Sequence, residues 1–519
     1  MAALVHEFIE SAVRRFGDRT ALVDARGSLT FAEMWERSTR LASVLTDLGV
    51  RPGDRVVAVM NNRNEWMEID GAVSMIGAVR SRLNGRDGDR EYALVLQDTT
   101  PNVVITGPEF TARVQTLIDE GKAPRARVLG LGGSGDYESL IGAAEPCTPA
   151  RFADDTHYLI YHTSGTTGRY KGACYDHRNF VAQYRNILAT MLGEMGPDAA
   201  FLHLAPLSHQ SGLFAVPVLF RGARSVMMEE FDPNAVFDAI EEHGITHTVL
   251  APAMINMLAN HPEARRRDLS SLRCVIYAGS PIAPSVLRNA LEVFGPIFLQ
   301  GYGSTEAGGA YQTFLYPEDH IEALKGKEAR LSSCGRPSPF FDVKVADEAG
   351  KEVPVGEIGE LCMRGDAVST GYWNQPEATA EAYVDGWFRT GDLATRDEDD
   401  FITIVDRKND TIISGGLNVY PREIEDVIAE HPLVDEVAVV GVPDDKWGEA
   451  VKACVSLRSD DQTMTLEELQ EHCRKMGLAS YKKPLSIDVV PEIPKTPVGK
   501  IFRRALREPY WGDRPRRVG

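Results

Sequence analysis

The sequence is short of several things, and each shortage closes off a class of protein. It has no basic excess: its 519 residues hold 75 Asp and Glu against 56 Lys and Arg, a formal net charge of -19. A phosphate backbone needs a basic face, so no nucleic-acid partner is expected, and any polyanionic ligand must be held by local Lys and Arg. It has no paired cysteines. Cys147, Cys174, Cys274, Cys334, Cys362, Cys454 and Cys473 are odd in number, form no C-x-x-C and stand at no repeated spacing from histidine. That argues against a disulfide scaffold or zinc site and for reduced, buried thiols. No run approaches the roughly 18 apolar residues of a membrane span. The opening "MAALVHEFIESAVRRFGDRT" carries charges through its apolar part and no cleavage-type sequence, so a cytoplasmic location is expected. Low-complexity tracts and internal repeats are missing too. What remains, 43% hydrophobic and 25% charged residues, is the balance of a folded globular chain. Its length exceeds one ordinary core and predicts about two to four domains or subdomains.

What is present alternates. "LTFAEMWERSTRLASVLTDLGV" predicts a helix capped by Thr30, with an apolar face through Leu41, Val44 and Leu48 and a stop at Gly49; "DRVVAVM" follows as a buried strand. "DPNAVFDAIEEHG" and "PSVLRNALEVFG" read as helices, and "ITHTVLAP", "CVIYAGSP" and "IFLQGYGSTE" as strands running into glycine or proline. Parallel strands hand over to ligand-binding loops in this way. After Asp342 turns break a β-rich stretch. From Asp410 onward "PREIEDVIAEH", "EVAVVGV", "AVKACVSL", "TLEELQEHCRKM" and "SIDVV" predict a compact α+β unit. The fold class is therefore α/β: a large N-terminal domain of α/β subdomains plus a β-rich subdomain, residues 1–408, and a small mobile α+β C-terminal domain, residues 409–519.

"YHTSGTTGRYKG", residues 161–172, follows the apolar "HYLIYH" directly and closes on Lys171. Glycine lets backbone amides converge on an anion, and Ser and Thr hydroxyls add donors and can reach a metal ion. Such a loop suits a polyphosphate. It lacks the Walker spacing, since Tyr170 stands where that pattern needs glycine and Lys171 is followed by Gly172. A flexible linker is the competing reading.

Four further segments follow in order: "QGYGSTEAGG", "WFRTGDL", "VDRKNDTIISGGLNVYPREIE" and "PKTPVGKIFRR". With the loop they make the chain resemble the adenylate-forming superfamily, which includes acyl-CoA synthetases, aryl-CoA ligases, peptide-synthetase adenylation domains and luciferases, over nearly its whole length. Fatty acyl-CoA synthetases are the nearest group. The resemblance implies ATP, Mg2+ and coenzyme A as ligands and a two-step reaction: a carboxylate attacks the α-phosphorus of ATP to give acyl-AMP and pyrophosphate, and a thiol then displaces AMP.

It also implies roles. Thr163, Ser164, Gly165, Thr166, Thr167, Gly168 and Lys171 cradle the β- and γ-phosphates; Thr305 contacts the α-phosphate; Glu306, with Thr167, is the metal-side group. Tyr302 stacks on adenine beside Gly303, and Ala278 to Pro281, with Ser280, line the base. Asp392 accepts the ribose hydroxyls, Arg407 reaches the nucleotide beside the hinge residue Asn409, and Lys500 neutralises charge between carboxylate and α-phosphate. The catalytic set is Lys500, Glu306, Thr305 and His209, the last between acid pocket and thiol tunnel; it need not be a base, because a carboxylate is already ionised at neutral pH. Ser211, Phe214, Ala278, Gly279, Gly301, Gly308 and Gly309 join His209 around the acid, small residues leaving volume for a fatty or aryl acid. Gly415, Gly416 and Trp447 line the pantetheine arm of coenzyme A. Lys446, Lys482, Lys483, Arg503 and Arg504 are either neutralisers of its phosphates or a solvated face.

The chain departs from the family pattern at Tyr170, usually proline, at Asp406, usually glycine, and at Asn409, usually aspartate or lysine. "MIGAVRSRLNGRDGDREY" is unusually rich in arginine, a solvated loop on one reading and a mark of a polar acid on the other. The expected partners are a small-molecule acid, ATP and coenzyme A, in a monomer or homodimer. The alternatives are delivery of the adenylate to a carrier protein or amine, activation of an unusual oxyacid such as nitrite, or a catalytically dead nucleotide-binding relative. Retention of Glu306, Asp392 and Lys500 speaks against the last.

Overall fold

A computed structural model of the chain describes residues 4–133, 135–163, 170–280, 282–308, 311–459, 461–496 and 500–512. The chain forms two compact units, Met1–Val343 with Met363–Phe388, and Lys344–Cys362 with Arg389–Gly519. The boundary expected at 408/409 lies within the second of these.

In the first unit, short apolar runs become strands covered on both faces by helices, the α/β architecture that the alternation predicts. Among the described residues its larger sheet has nine strands, with a parallel succession Thr20–Asp24, Arg224–Met227, Ala200–His203, His247–Leu250, Cys274–Tyr277 and Phe298–Tyr302. Cys274–Tyr277 and Phe298–Tyr302 lie side by side, Tyr277 opposite Gln300, so the loops that begin at Ala278 and Gly303 leave the same edge of the sheet. The helices begin and end where local chemistry dictates. Asp232 accepts the Ala235 amide ahead of Pro233–His243, which stops at Gly244 with φ 57°. Thr30 caps Phe31–Asp47, as the sequence predicts, and with Glu33 it completes a capping box.

The second sheet of this unit has seven strands among the described residues, including Gly371–Tyr372, Lys171–Asp176, His157–Thr163 and Val79–Arg82 as successive neighbours. His157–Thr163 and Lys171–Asp176 pair antiparallel out to Thr163 opposite Lys171, so the Gly/Ser/Thr-rich stretch is flanked on both sides by paired strands. A linker between domains would not be clamped at both ends by ladder pairing. The arginine-rich segment divides: Arg86 and Arg90 are exposed, whereas Arg80 and Arg82 sit inside the strand Val79–Arg82, buried against Asp70 of the helix Glu65–Met75. A solvated loop is thus wrong for half of it, because two guanidinium groups share one buried carboxylate.

The second unit's core is the sheet of Leu417–Val419, Ile412–Ser414, Gly448–Leu457 and Val434–Asp444, with Ser486–Val489 added parallel to Gly448–Leu457. The amphipathic helices Pro421–Ala429 and Leu466–Lys475 bury Ile424, Ile428, Leu469 and Cys473 in it. None of the seven cysteines is in a disulfide, and five of them are buried.

Candidate active site

Thr163, at the end of its strand, donates its hydroxyl to the Lys171 carbonyl at 3.5 Å, and the two residues frame the phosphate-type loop. Ser164, Gly165, Thr166, Thr167 and Gly168 lie outside the described residues, as do Gly309 and Pro281. Tyr170 is described. Its ring packs on the cluster that includes Leu83, Tyr92 and Phe110, and its carbonyl accepts the Gln375 side-chain amide at 3.1 Å. The aromatic residue that replaces proline therefore fastens one end of the loop by side-chain packing.

The turn Thr305–Gly308 follows the strand Phe298–Tyr302 and is held from several directions. Gln312, fully buried, accepts the Ser304 amide at 3.2 Å and donates to the Ala307 carbonyl at 2.6 Å. The Tyr175 hydroxyl donates to the Thr305 carbonyl and accepts the Gly308 amide at 3.3 Å. The Ser369 amide donates to the Glu306 carbonyl at 2.9 Å. Half-buried Glu306 accepts the Tyr372 hydroxyl on Oε1 at 3.0 Å, and the Lys171 ammonium stands 4.9 Å from the centroid of the same phenol. Burial and the Glu306 carboxylate push the Tyr372 phenol far above its ordinary range, so it remains a neutral donor. The fold thus brings the Glu306 carboxylate and the Lys171 ammonium onto one ring, which no sequence pattern indicates. Tyr372, Tyr175 and Gln312 are absent from the sequence-derived set; Tyr372 and Tyr175 make contacts between distant segments, and Gln312 braces the turn from a few residues downstream.

No group of three or more His, Cys, Asp and Glu among the described residues forms a cage for a metal. Glu306 Oε2 makes no hydrogen bond among them either. One carboxylate with a spare oxygen fits Mg2+, which keeps waters and substrate phosphates as its remaining ligands.

Among the residues that the resemblance assigns to the acid, half-buried His209 meets Tyr161 edge-on at 5.7 Å and Ser208 Oγ at 3.1 Å. Gly279, with φ 89°, and Ser280 are exposed, and Ala278 is buried at the end of its strand. Three expected pocket residues belong to the packed interior instead. Ser211 is spent on His203 Nδ1 at 2.8 Å, Phe214 stacks on Phe201 at 5.3 Å, and both are fully buried. Gly301 leaves no volume, because a Cβ there would stand 2.4 Å from the Tyr311 ring. Gly308 is glycine for its φ of 107° and for the Gln183 Oε1 and Ala367 carbonyl 2.8 Å from its missing Cβ.

Within the second unit, Asp392 and Arg407 face each other across the strands Trp387–Arg396 and Ile402–Arg407, with Nε 2.6 Å from Oδ1. Asp392 is buried, and the charge-assisted contact orients the carboxylate that the resemblance assigns to ribose. Asn409 is the exposed middle of the 3-10 turn Lys408–Asp410. Asp406, buried beside it, accepts the Arg407 amide at 2.7 Å and the Arg422 amide at 2.9 Å, and burial lifts its pKa to about 6. Lys500 is exposed, and its carbonyl accepts the Thr496 amide at 2.7 Å. Gly415 and Gly416, φ 60° and 81°, make the two-residue hairpin between Ile412–Ser414 and Leu417–Val419. Trp447, 42% exposed, lies against Gly415, whose amide donates to its carbonyl at 2.8 Å, so the three residues expected along the pantetheine arm do adjoin. Of the five basic candidates, Arg503 is committed inward, to Glu425 at 2.5 Å and Asp410 at 3.6 Å, and cannot serve a ligand phosphate. Lys482 and Arg504 are paired with Glu423 and Glu508.

Comparison with known proteins agrees with this arrangement. Residues 9–373 match the family model described as AMP-binding enzyme, and residues 423–500 match the AMP-binding enzyme C-terminal domain. The medium/long-chain-fatty-acid–CoA ligase FadD8 of Mycobacterium tuberculosis is 36% identical over 98% of this chain and 90% of its own length. A feruloyl-CoA synthase of Amycolatopsis is 38% identical over 95% of this chain and 96% of its own. The amide bond synthetase McbA of Marinactinospora thermotolerans superposes with a TM-score of 0.86 at 33% identity, covering 97% of this chain and 99% of that one. With the Glu306 carboxylate and Lys171 brought together as above, and family models matching both parts of the chain, this protein belongs to the AMP-binding enzyme family, the adenylate-forming superfamily.

Proposed function

We propose that the protein is an ATP-dependent, AMP-forming acid:CoA ligase acting on a medium- or long-chain fatty acid or an aryl acid. The observation that carries this reading is the convergence of Glu306 and Lys171 on Tyr372 beside the loop framed by Thr163 and Lys171. Lys171 and Thr163 hold the outer phosphates, Thr305 the α-phosphate, and Asp392, oriented by Arg407, the ribose. Tyr302, Gly303 and Ser280 bound the base. A carboxylate oxygen of the acid attacks the α-phosphorus, the bond to the bridging oxygen breaks, and pyrophosphate leaves with both electrons. The step is one of positioning and charge neutralisation, which lysines supply. Mg2+ would be held by Glu306 with Thr167 and would add charge neutralisation on the phosphates. In the second step the thiolate of coenzyme A adds to the acyl carbon and AMP departs, the pantetheine arm running past Gly415, Gly416 and Trp447, with His209 at the acyl end. The chain divides at 408/409, Asn409 is the hinge, and Lys500 belongs to the adenylating arrangement alone.

Lys500→Ala tests that assignment: adenylate formation should fall by orders of magnitude while thioester formation from a supplied acyl-AMP persists. Equal loss in both half-reactions would show the assignment to be wrong. A second reading, capture of the adenylate by an amine, is favoured by the likeness to an amide bond synthetase over nearly the full chain. Product formed with an amine but none with coenzyme A would decide for it.

A further inference from the structure

The phenol of Tyr372 belongs to no segment that carries the resemblance, yet it touches both charged groups of the phosphate side. It ends the two-residue strand Gly371–Tyr372, which pairs with Lys171–Asp176, Tyr372 opposite Ala173, and that pairing sets the ring beside the lysine two positions earlier. Its hydroxyl donates to Glu306 Oε1 at 3.0 Å, and Lys171 lies over its face at 4.9 Å. The support behind it is firm. The Tyr372 amide donates to Thr379 Oγ1 at 2.9 Å, and the Tyr383 ring meets the phenol edge-on at 6.0 Å. Tyr383 is bonded to Ser369, whose amide holds the Glu306 carbonyl. The stretch from Ser369 to Tyr383 therefore grips Glu306 by backbone and by side chain.

We propose that Tyr372 is a positioning residue for the metal–triphosphate: its hydroxyl fixes Oε1 of Glu306 so that Oε2 faces the incoming cation, and its ring parks Lys171 beside that carboxylate. A lysine and a carboxylate on opposite parts of one neutral phenol form a charge-balanced receptor, set before the nucleotide arrives. When the triphosphate enters, Lys171 transfers from the ring face to phosphate oxygens, while the hydroxyl keeps the carboxylate from rotating. The inference rests on the reading of Glu306 as the metal-side group and Lys171 as a phosphate ligand.

Tyr372→Phe separates the two functions, because it keeps the ring and the cation–π contact and removes only the hydroxyl. Binding of Mn2+ with α,β-methylene-ATP to the full chain is followed by the Mn2+ paramagnetic resonance signal, and binding of the nucleotide without metal by calorimetry. A hydrogen bond to a charged group is worth enough that Mn2+–nucleotide affinity should weaken about tenfold, with metal-free binding unchanged. Tyr372→Leu, which also removes the face that holds Lys171, should weaken both. Wild-type Mn2+–nucleotide affinity in Tyr372→Phe would overturn the proposal, and so would equal loss with and without metal, the mark of a purely structural role. Glu306→Gln is the control on the underlying reading: unchanged metal dependence there removes Glu306 from the metal side, whatever Tyr372 does.

Discussion

Gly301 and Tyr311 make the residue-scale argument concrete. The strand Phe298–Tyr302 carries a glycine that has no turn to make; it is there so that an aromatic ring can lie on the backbone, 2.4 Å from where a Cβ would be. Gly301→Ala must displace that ring, and overpacking of a filled interior costs about 1–3 kcal/mol. A urea midpoint for Gly301→Ala equal to wild type would show that the ring yields without cost. Glu306 could be named from the sequence because the segment around it is local and continuous. Tyr372 could not, since its hydrogen bond to Glu306, 66 positions away, exists only in the folded chain. The same holds for Tyr175, whose hydroxyl spans 130 positions to Thr305. Gly301 shows the converse: a glycine in sequence does not say whether the space it leaves is filled, here by the Tyr311 ring.

At the scale of elements, the helix Arg503–Trp511 is moored to the second unit by ion pairs. Arg503 makes paired contacts with Glu425 on Pro421–Ala429 at 3.1 and 2.5 Å, while Arg507 reaches Asp410 at 3.5 Å. Glu425 also accepts the Val439 amide at 2.7 Å, so removing the guanidinium strands a buried carboxylate. Arg503→Met should destabilise this unit by about 3–5 kcal/mol, and the double substitution Arg503→Met, Glu425→Leu should restore much of it. Hydrogen exchange at the Val439 amide measures both; unchanged protection in Arg503→Met would contradict the mooring. The strands and helices of this unit were predictable from periodicity and capping. Which cations faced outward was not, because Arg503 and Arg504 are neighbours in a basic run and only the fold turns one inward.

For the whole molecule, buried histidines give the first unit a distinct acid response. Burial lowers the pKa of His203 and His177 to about 3, and that of His247 and His320 to about 4. Each is held neutral when folded and protonates near pH 6.5 when unfolded, so its stabilising contribution is present above that pH and is lost as the pH falls. At pH 5.5 each costs about 1.4 kcal/mol relative to pH 7.5. Asp87 and Asp406, both lifted to about 6 by burial, act in the opposite direction, since their folded forms bind the proton more tightly than the unfolded chain does. They offset only about 1 kcal/mol each over that interval. The urea midpoint should therefore drop between pH 7.5 and 5.5; a midpoint that holds or rises would show that the histidines are solvated.

The large α/β division and the small α+β unit followed from alternation of apolar runs with turn residues, whereas the contents of the acid pocket depend on side chains met only in the folded state. The central claim, that this scaffold activates a carboxylate as its adenylate, is tested most directly by exchange of labelled pyrophosphate into ATP over a panel of fatty and aryl acids. Acid-dependent exchange, with thioester appearing once coenzyme A is added, is the predicted result. No exchange with any acid would contradict it.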